Sequence, residues 1–207
     1  MTLELVYFAN PMCSWCYGFH DGFARALAAR STAVSATLAL GALRADTEPL
    51  GDEQKAYLRD AWTRVAEMSG RPFDFGLLAR DDVVYDTRPA SRAVAAVRAA
   101  APARTLGYLG AVQTAFYRDN RDVTAPAVLA ALAEDAGLDP AVVTTALDDP
   151  ETARALAAEN EEVARLGVTG YPAVLALTRP KPQVIALGFR SADAVAAAID
   201  EALLRAA

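Results

Sequence analysis

The chain has 207 residues, 54% hydrophobic and 22% charged, the balance of a folded protein long enough to bury a sizeable core. Its net charge is −6 with no cluster of Lys and Arg, so it lacks the counter-charge that grips a phosphate backbone, and nucleic acid is not an expected partner. No apolar run reaches the length of a membrane span, and "MTLELVYFANPM" has no cationic start of a secretion signal, so the expected setting is the cytoplasm, without a membrane partner.

Leu3 to Phe8 is a short β-type run closed by Asn10-Pro11. From Ser14 to about Arg30, Trp15, Phe19, Phe23, Ala26 and Leu27 recur at helical spacing. Val34 to Leu40 alternates as a strand before Gly41, completing a βαβ unit. Between Gly51 and Leu166 the patterns are helical, with almost no strand signal. Helices are expected over Asp52–Met68, from Asp86 or Thr87 as cap with Pro89 in the first turn, and over Thr105–Arg118, Pro126–Ala136, Pro140–Leu147 and Pro150–Leu166. The acidic run "AENEEVARL" reads as a solvated helix face. Two strand-length runs follow, Ala173–Thr178 and Gln183–Gly188, and then a helix over Ala192–Arg205. Neither half-sheet can bury its own faces, so the strands are expected to join in one sheet. The expected fold class is α/β, with one domain from residues 1–46 and 167–207 and an inserted helical domain from 47–166.

The only two cysteines, Cys13 and Cys16, stand in "NPMCSWCYG", where the first strand turns into the first helix. Three readings compete. Two buried thiols can be close by chance. A zinc site usually needs four ligands, and the chain offers one CxxC and one histidine, His20. A redox dithiol fits the location best, because a cysteine at a helix N-terminus meets unsatisfied N–H groups and the positive end of the dipole, which favour its thiolate. Cys13 is then the nucleophile, and Cys16, one turn in and less exposed, the resolving thiol.

The segment "YFANPMCSWCYGF" resembles the active-site region of DsbA-like thioredoxin-fold oxidoreductases, in particular their cytoplasmic protein-disulfide-isomerase-like branch. The resemblance implies a thioredoxin fold interrupted by helices. A second motif, "GVTGYPAVL", resembles the family segment that ends in a cis-proline, which places that proline at Pro172. The resemblance implies that Pro172 faces the CxxC and that Tyr171 leaves its backbone free for a substrate strand. "DTRPASR" is a weaker likeness and is read only as a helix start.

Three departures bear on the chemistry. Tyr7 stands where the family often has a buried acid, leaving the proton acceptor for Cys16 to water or to a group from the helical block. Ser14-Trp15 replaces the dipeptide that carries a histidine in strongly oxidising relatives. Cys13 is therefore expected below the free thiol pKa of about 8.5 but well above about 3.5, which suits reducing or shuffling disulfides. Tyr171 is larger than the usual residue before the cis-proline, and either narrows the site, stacks on substrate or covers the helix–sheet seam.

Ser14, Trp15, Tyr171 and Pro172 are the expected substrate contacts, and disulfide-bearing proteins or small thiols the expected partners. No bound cofactor is expected, with glutathione or another thiol as electron partner. His20 reads as a partly exposed surface histidine near the sulfurs, and Trp15 and Tyr17 as an apolar rim or core. Trp62, Phe73, Phe75, Phe116 and Tyr117 are expected to hold the helical block together. Two other functions compete: a glutathione-dependent transferase or isomerase of the same fold, whose members typically carry serine where Cys13 stands, and a non-catalytic peptide binder.

Overall fold

The computed structural model describes residues 2–206. Strand β1 (Leu3–Ala9) runs into helix α1 (Ser14–Ala28), which returns the chain to strand β2 (Val34–Leu40). β1 and β2 pair in parallel, from Leu3 opposite Val34 to Ala9 opposite Leu40. After the central helices come β5 (Ala173–Ala176), β6 (Gln183–Leu187) and helix α8 (Ala192–Ala206). β5 lies antiparallel to β1 and β6 antiparallel to β5, giving one four-stranded sheet in the order β2-β1-β5-β6. The expected joining of the early and late strands is observed, in a thioredoxin-type arrangement.

The alternation along β1 gives the sheet two buried faces. Leu3, Leu5, Tyr7 and Ala9 enter the main core, where the Tyr7 ring meets Phe19 and Phe23 of α1 at 5.8 and 4.8 Å. Phe8 points the other way, into a smaller cluster with Ala173 and with Val163 of helix α7 (Pro150–Arg165). Asp149 starts α7 by accepting hydrogen bonds from the N–H groups of Glu151 and Thr152.

The intervening helices are α2 (Asp52–Ser69), α3 (Arg88–Ala100), α4 (Thr105–Tyr117), α5 (Pro126–Asp135), α6 (Ala141–Asp148) and α7. α2 stops where Gly70 takes a left-handed conformation, φ 68°. Trp62 lies 5.0 to 6.0 Å from the rings of Phe73, Phe75, Phe116 and Tyr117, the expected aromatic centre of this block.

Two features depart from expectation. A two-stranded antiparallel ribbon pairs β3 (Ala45–Pro49), which spans the expected boundary at residue 46, with β4 (Val84–Asp86), which lies in the stretch read as nearly strand-free. β3 is polar and mostly exposed, and β4 has only three residues, so neither shows the alternation that marks a strand in sequence. In the acidic run of α7, most side chains are solvated, but Glu159 turns inward. It forms a bidentate pair with Arg98 (2.6 and 2.7 Å) and accepts the Leu40 N–H at 2.9 Å.

Candidate active site

Asn10 and Pro11 end β1, and buried Asn10 organises the turn that follows. Its Oδ1 accepts the Met12 N–H at 2.9 Å, and its Nδ2 donates to the Gly41 carbonyl at 2.9 Å and to Thr87 Oγ1 at 3.3 Å. The Asn10 carbonyl accepts the Cys13 N–H at 3.1 Å. Thr87, expected as a possible cap, instead donates its hydroxyl to the Arg44 carbonyl at 2.8 Å, and Asp86 Oδ1 receives the Arg88 N–H at the start of α3.

Cys13 is the residue before α1 and has extended backbone. It retains 7% exposure whereas Cys16, inside the first turn, has 0%. Both thiols are free. The Cys16 thiol donating to its sulfur pulls the Cys13 pKa down; burial opposes this, and the N–H groups of Cys16 and Trp15 add to the pull. Cys16 is pushed well above the ordinary thiol value, chiefly by burial, then by its bond to Cys13 and the charge there. One thiol is thus poised to ionise and the other held protonated.

Cys13 Sγ donates to the Tyr171 carbonyl at 3.6 Å. The Tyr171–Pro172 peptide is cis, in line with the family resemblance, and Pro172 is buried. Among the described residues, the Tyr171 N–H takes part in no backbone hydrogen bond, while the Pro172 carbonyl accepts the Gly188 N–H at 2.7 Å. The half-buried Tyr171 ring lies over Gly41, where any Cβ would collide with its phenol end. It also packs against the cluster of Phe8, Val163 and Ala173. Of its three anticipated placements, the seam-covering one describes this geometry. Ser14 and Trp15 are half-buried, with the Trp15 ring 6.0 Å from that of Phe189. Tyr17 is core, stacked on Tyr117 with ring centres 5.1 Å apart.

The structure corrects His20. It is buried rather than partly exposed, turned against Gly110 of α4, where a Cβ would meet its ring. Burial first, and the charge of Arg71 second, lower its pKa to about 4. Its Nδ1 is sealed without a hydrogen-bond partner. Tyr7 is likewise sealed. Burial, followed by the charges of Cys16 and Cys13, raises its pKa, so it remains a phenol. The groups bearing on Cys16 are Cys13, the Asn10 backbone and Tyr7, with no carboxylate among them. No cluster of three or more metal-ligating side chains occurs among the described residues.

Sequence reasoning missed two residues at this turn. Tyr85 of β4 and Tyr117 of α4 both donate their hydroxyls to the Met12 carbonyl, each at 2.6 Å. "DDVVYD" carries no signal of that contact, and the sequence points to Tyr117 only as part of the helical core.

The family model for the DSBA-like thioredoxin domain matches residues 4–200, and the chain belongs to that family. It is a thiol–disulfide oxidoreductase whose CxxC occupies the start of the first helix. A structure of a candidate protein disulfide isomerase from Nitrosomonas europaea is 29% identical over 100% of both chains, with TM-score 0.90. The cytosolic disulfide reductase DsbM from Pseudomonas aeruginosa is 27% identical, covering 99% of this chain and 100% of its own, with TM-score 0.81. The same reductase with GSH matches at 26% identity, covering 98% of this chain and 100% of its own, with TM-score 0.78. No curated protein matches the chain.

Proposed function

We propose that the protein is a cytoplasmic disulfide reductase or isomerase in which Cys13 is the nucleophile and Cys16 the resolving thiol. The observation that carries the assignment is the asymmetry of the pair: Cys13 alone reaches solvent, at a helix start, with its sulfur against the Tyr171 carbonyl. The Cys13 thiolate attacks one sulfur of a substrate disulfide, forming a mixed disulfide and releasing the other sulfur as a thiolate that takes a proton. Cys16 gives its proton to water and attacks the Cys13 sulfur, expelling the second substrate sulfur as a thiolate that is protonated from water and leaving Cys13–Cys16 oxidised by two electrons. Two molecules of glutathione or another thiol return those electrons in exchange for their own disulfide.

The reducing direction is supported by the surroundings of Cys13. The largest pull on its pKa comes from a neutral thiol, and the helix adds N–H groups; Ser14-Trp15 contributes no cation, and buried His20 is neutral at pH 7. A thiolate stabilised in this way gives a less oxidising disulfide than one paired with a charge. The cytosolic reductase among the similar structures, and its form with GSH, support the same setting and electron partner. Ser14, Trp15, Tyr171 and Pro172 form the substrate wall in this reading, with the Tyr171 N–H available to a peptide strand. The segments 1–46 and 167–207 act as the thioredoxin-like domain and 47–166 as its insertion.

The test is trapping with Cys16→Ser. Incubated with oxidised glutathione and with a scrambled protein disulfide, the variant is expected to accumulate mixed disulfides on Cys13, and Cys13→Ser to lose turnover. A variant that forms no adduct with either substrate would sink the mechanism, and turnover surviving in Cys13→Ser would favour a peptide-binding role.

A further inference from the structure

The Met12 carbonyl, directly before the nucleophile, is a meeting point of the two parts of the fold. Met12 is fully buried, so its carbonyl has no water to turn to. Two phenols serve it, Tyr85 Oη and Tyr117 Oη, each at 2.6 Å, and the two phenol oxygens stand 3.1 Å apart. Each hydroxyl has one proton. A carbonyl can only accept, so each 2.6 Å contact needs a phenol proton, and both protons are used there. The longer contact between the phenols is left without one. Burial keeps both phenols protonated far above neutral pH, so both donors persist wherever the enzyme works. The Arg44 guanidinium, paired with Asp46, lies 5.0 Å from the Tyr85 ring centre.

We propose that Tyr85 and Tyr117 are positioning residues for the redox centre. By clamping the Met12 carbonyl from the helical block, they hold the Cys13 sulfur against the N–H groups that open α1. Asn10 holds the N–H side of this turn: its Oδ1 takes the Met12 N–H of the preceding peptide, and its carbonyl takes the Cys13 N–H of the Met12–Cys13 peptide at 3.1 Å. The planar Met12–Cys13 peptide is thus held at its N–H end by Asn10 and at its carbonyl end by the two tyrosines. A thiolate gains from helix N–H groups only while its sulfur is aligned with them, and that alignment decays within the first turn. Releasing the carbonyl leaves the peptide plane anchored at its N–H end alone, lets it tilt, and lowers the share of Cys13 present as thiolate. The inference rests on Cys13 being the nucleophile.

The test uses the full chain with Tyr85→Phe, Tyr117→Phe and both together, each reduced and alkylated with iodoacetamide at pH 7, with the modified cysteine identified by peptide mass. Each single variant is expected to alkylate at Cys13 roughly twofold more slowly, and the double about fivefold or more, because the rate below the thiol pKa follows the thiolate fraction. Titration of thiolate absorbance is expected to show the matching rise in the Cys13 pKa. The single variants each keep one donor on Met12, so they decide the matter should the double variant not fold. Faster unfolding or a lower Tm without any change in Cys13 rate or titration would overturn the proposal and leave the tyrosines structural. Alkylation at Cys16 first in the parent protein would instead overturn the assignment of the nucleophile.

Discussion

His20 carries a titratable ring into the packing between α1 and α4, with a folded pKa of about 4 against 6.5 for the free side chain. As pH falls below 6.5 the unfolded chain takes up this proton first, so stability is lost between about pH 6.5 and pH 4 and the loss levels off below. A shift of this size corresponds to about 3 kcal/mol at full extent. Replacing His20 with Leu, which removes the proton site and the unpartnered Nδ1, is expected to flatten that part of the profile in urea melts between pH 7 and 4.5. An unchanged pH profile in the variant would remove His20 as the cause. Tyr171 and Gly41 form a second local unit. Gly41→Ala is expected to cost about 1–3 kcal/mol because its Cβ collides with the phenol. Adding Tyr171→Ala should recover part of that loss, which a double-mutant cycle of urea midpoints measures. At this scale the sequence was partly legible. The CxxC and Pro172 announced themselves by spacing and motif. His20 did not, because the glycine that makes room for it lies ninety residues away on another helix.

Helix α7 shows how an element can carry more than its pattern suggests. Its acidic run reads as a solvated face, yet Glu159 links three elements: Arg98 of α3, the Leu40 N–H at the end of β2, and α7 itself. Arg98 also donates to the Leu38 carbonyl at 2.7 Å. Removing the carboxylate leaves a half-buried guanidinium and a strand-end N–H short of a partner. Glu159→Ala is therefore expected to lower stability by about 1–3 kcal/mol. Urea unfolding checks it, and a change within error would mean that water replaces the carboxylate at no cost. The long helices were legible because periodic apolar runs are bounded by turn and stop signals such as Ser69-Gly70. The β3–β4 ribbon was not, since its backbone pairing is supported by long-range contacts rather than by side-chain alternation.

Across the whole molecule, the expected division into thioredoxin-like and helical parts meets one continuous core. Buried residues from the sheet and α1, among them Leu5, Phe19 and Phe23, join the same cluster as Trp62, Val94, Phe116 and Leu129 of the helical block. A shared core predicts one cooperative transition rather than two. The two tryptophans make this measurable, since Trp15 lies on α1 and Trp62 on α2. In Trp15→Phe and Trp62→Phe variants, each leaving one reporter, the fluorescence transition in urea is expected to coincide with that of far-UV circular dichroism in the same variant. Separate midpoints for the two probes in either variant would show that the insertion unfolds on its own. The order of strands and helices was visible in the sequence, but this continuity was not, because it depends on which helix faces meet.

The contact between Gly41 and Tyr171 has a consequence for how relatives can vary. A mutational path that places an aromatic at position 171 has to pass through glycine at 41, whereas a small residue at 171 releases 41 to carry any side chain. Libraries that randomise the two positions together should therefore be enriched in two groups of folded members, with combinations of an aromatic at 171 and a side chain at 41 depleted.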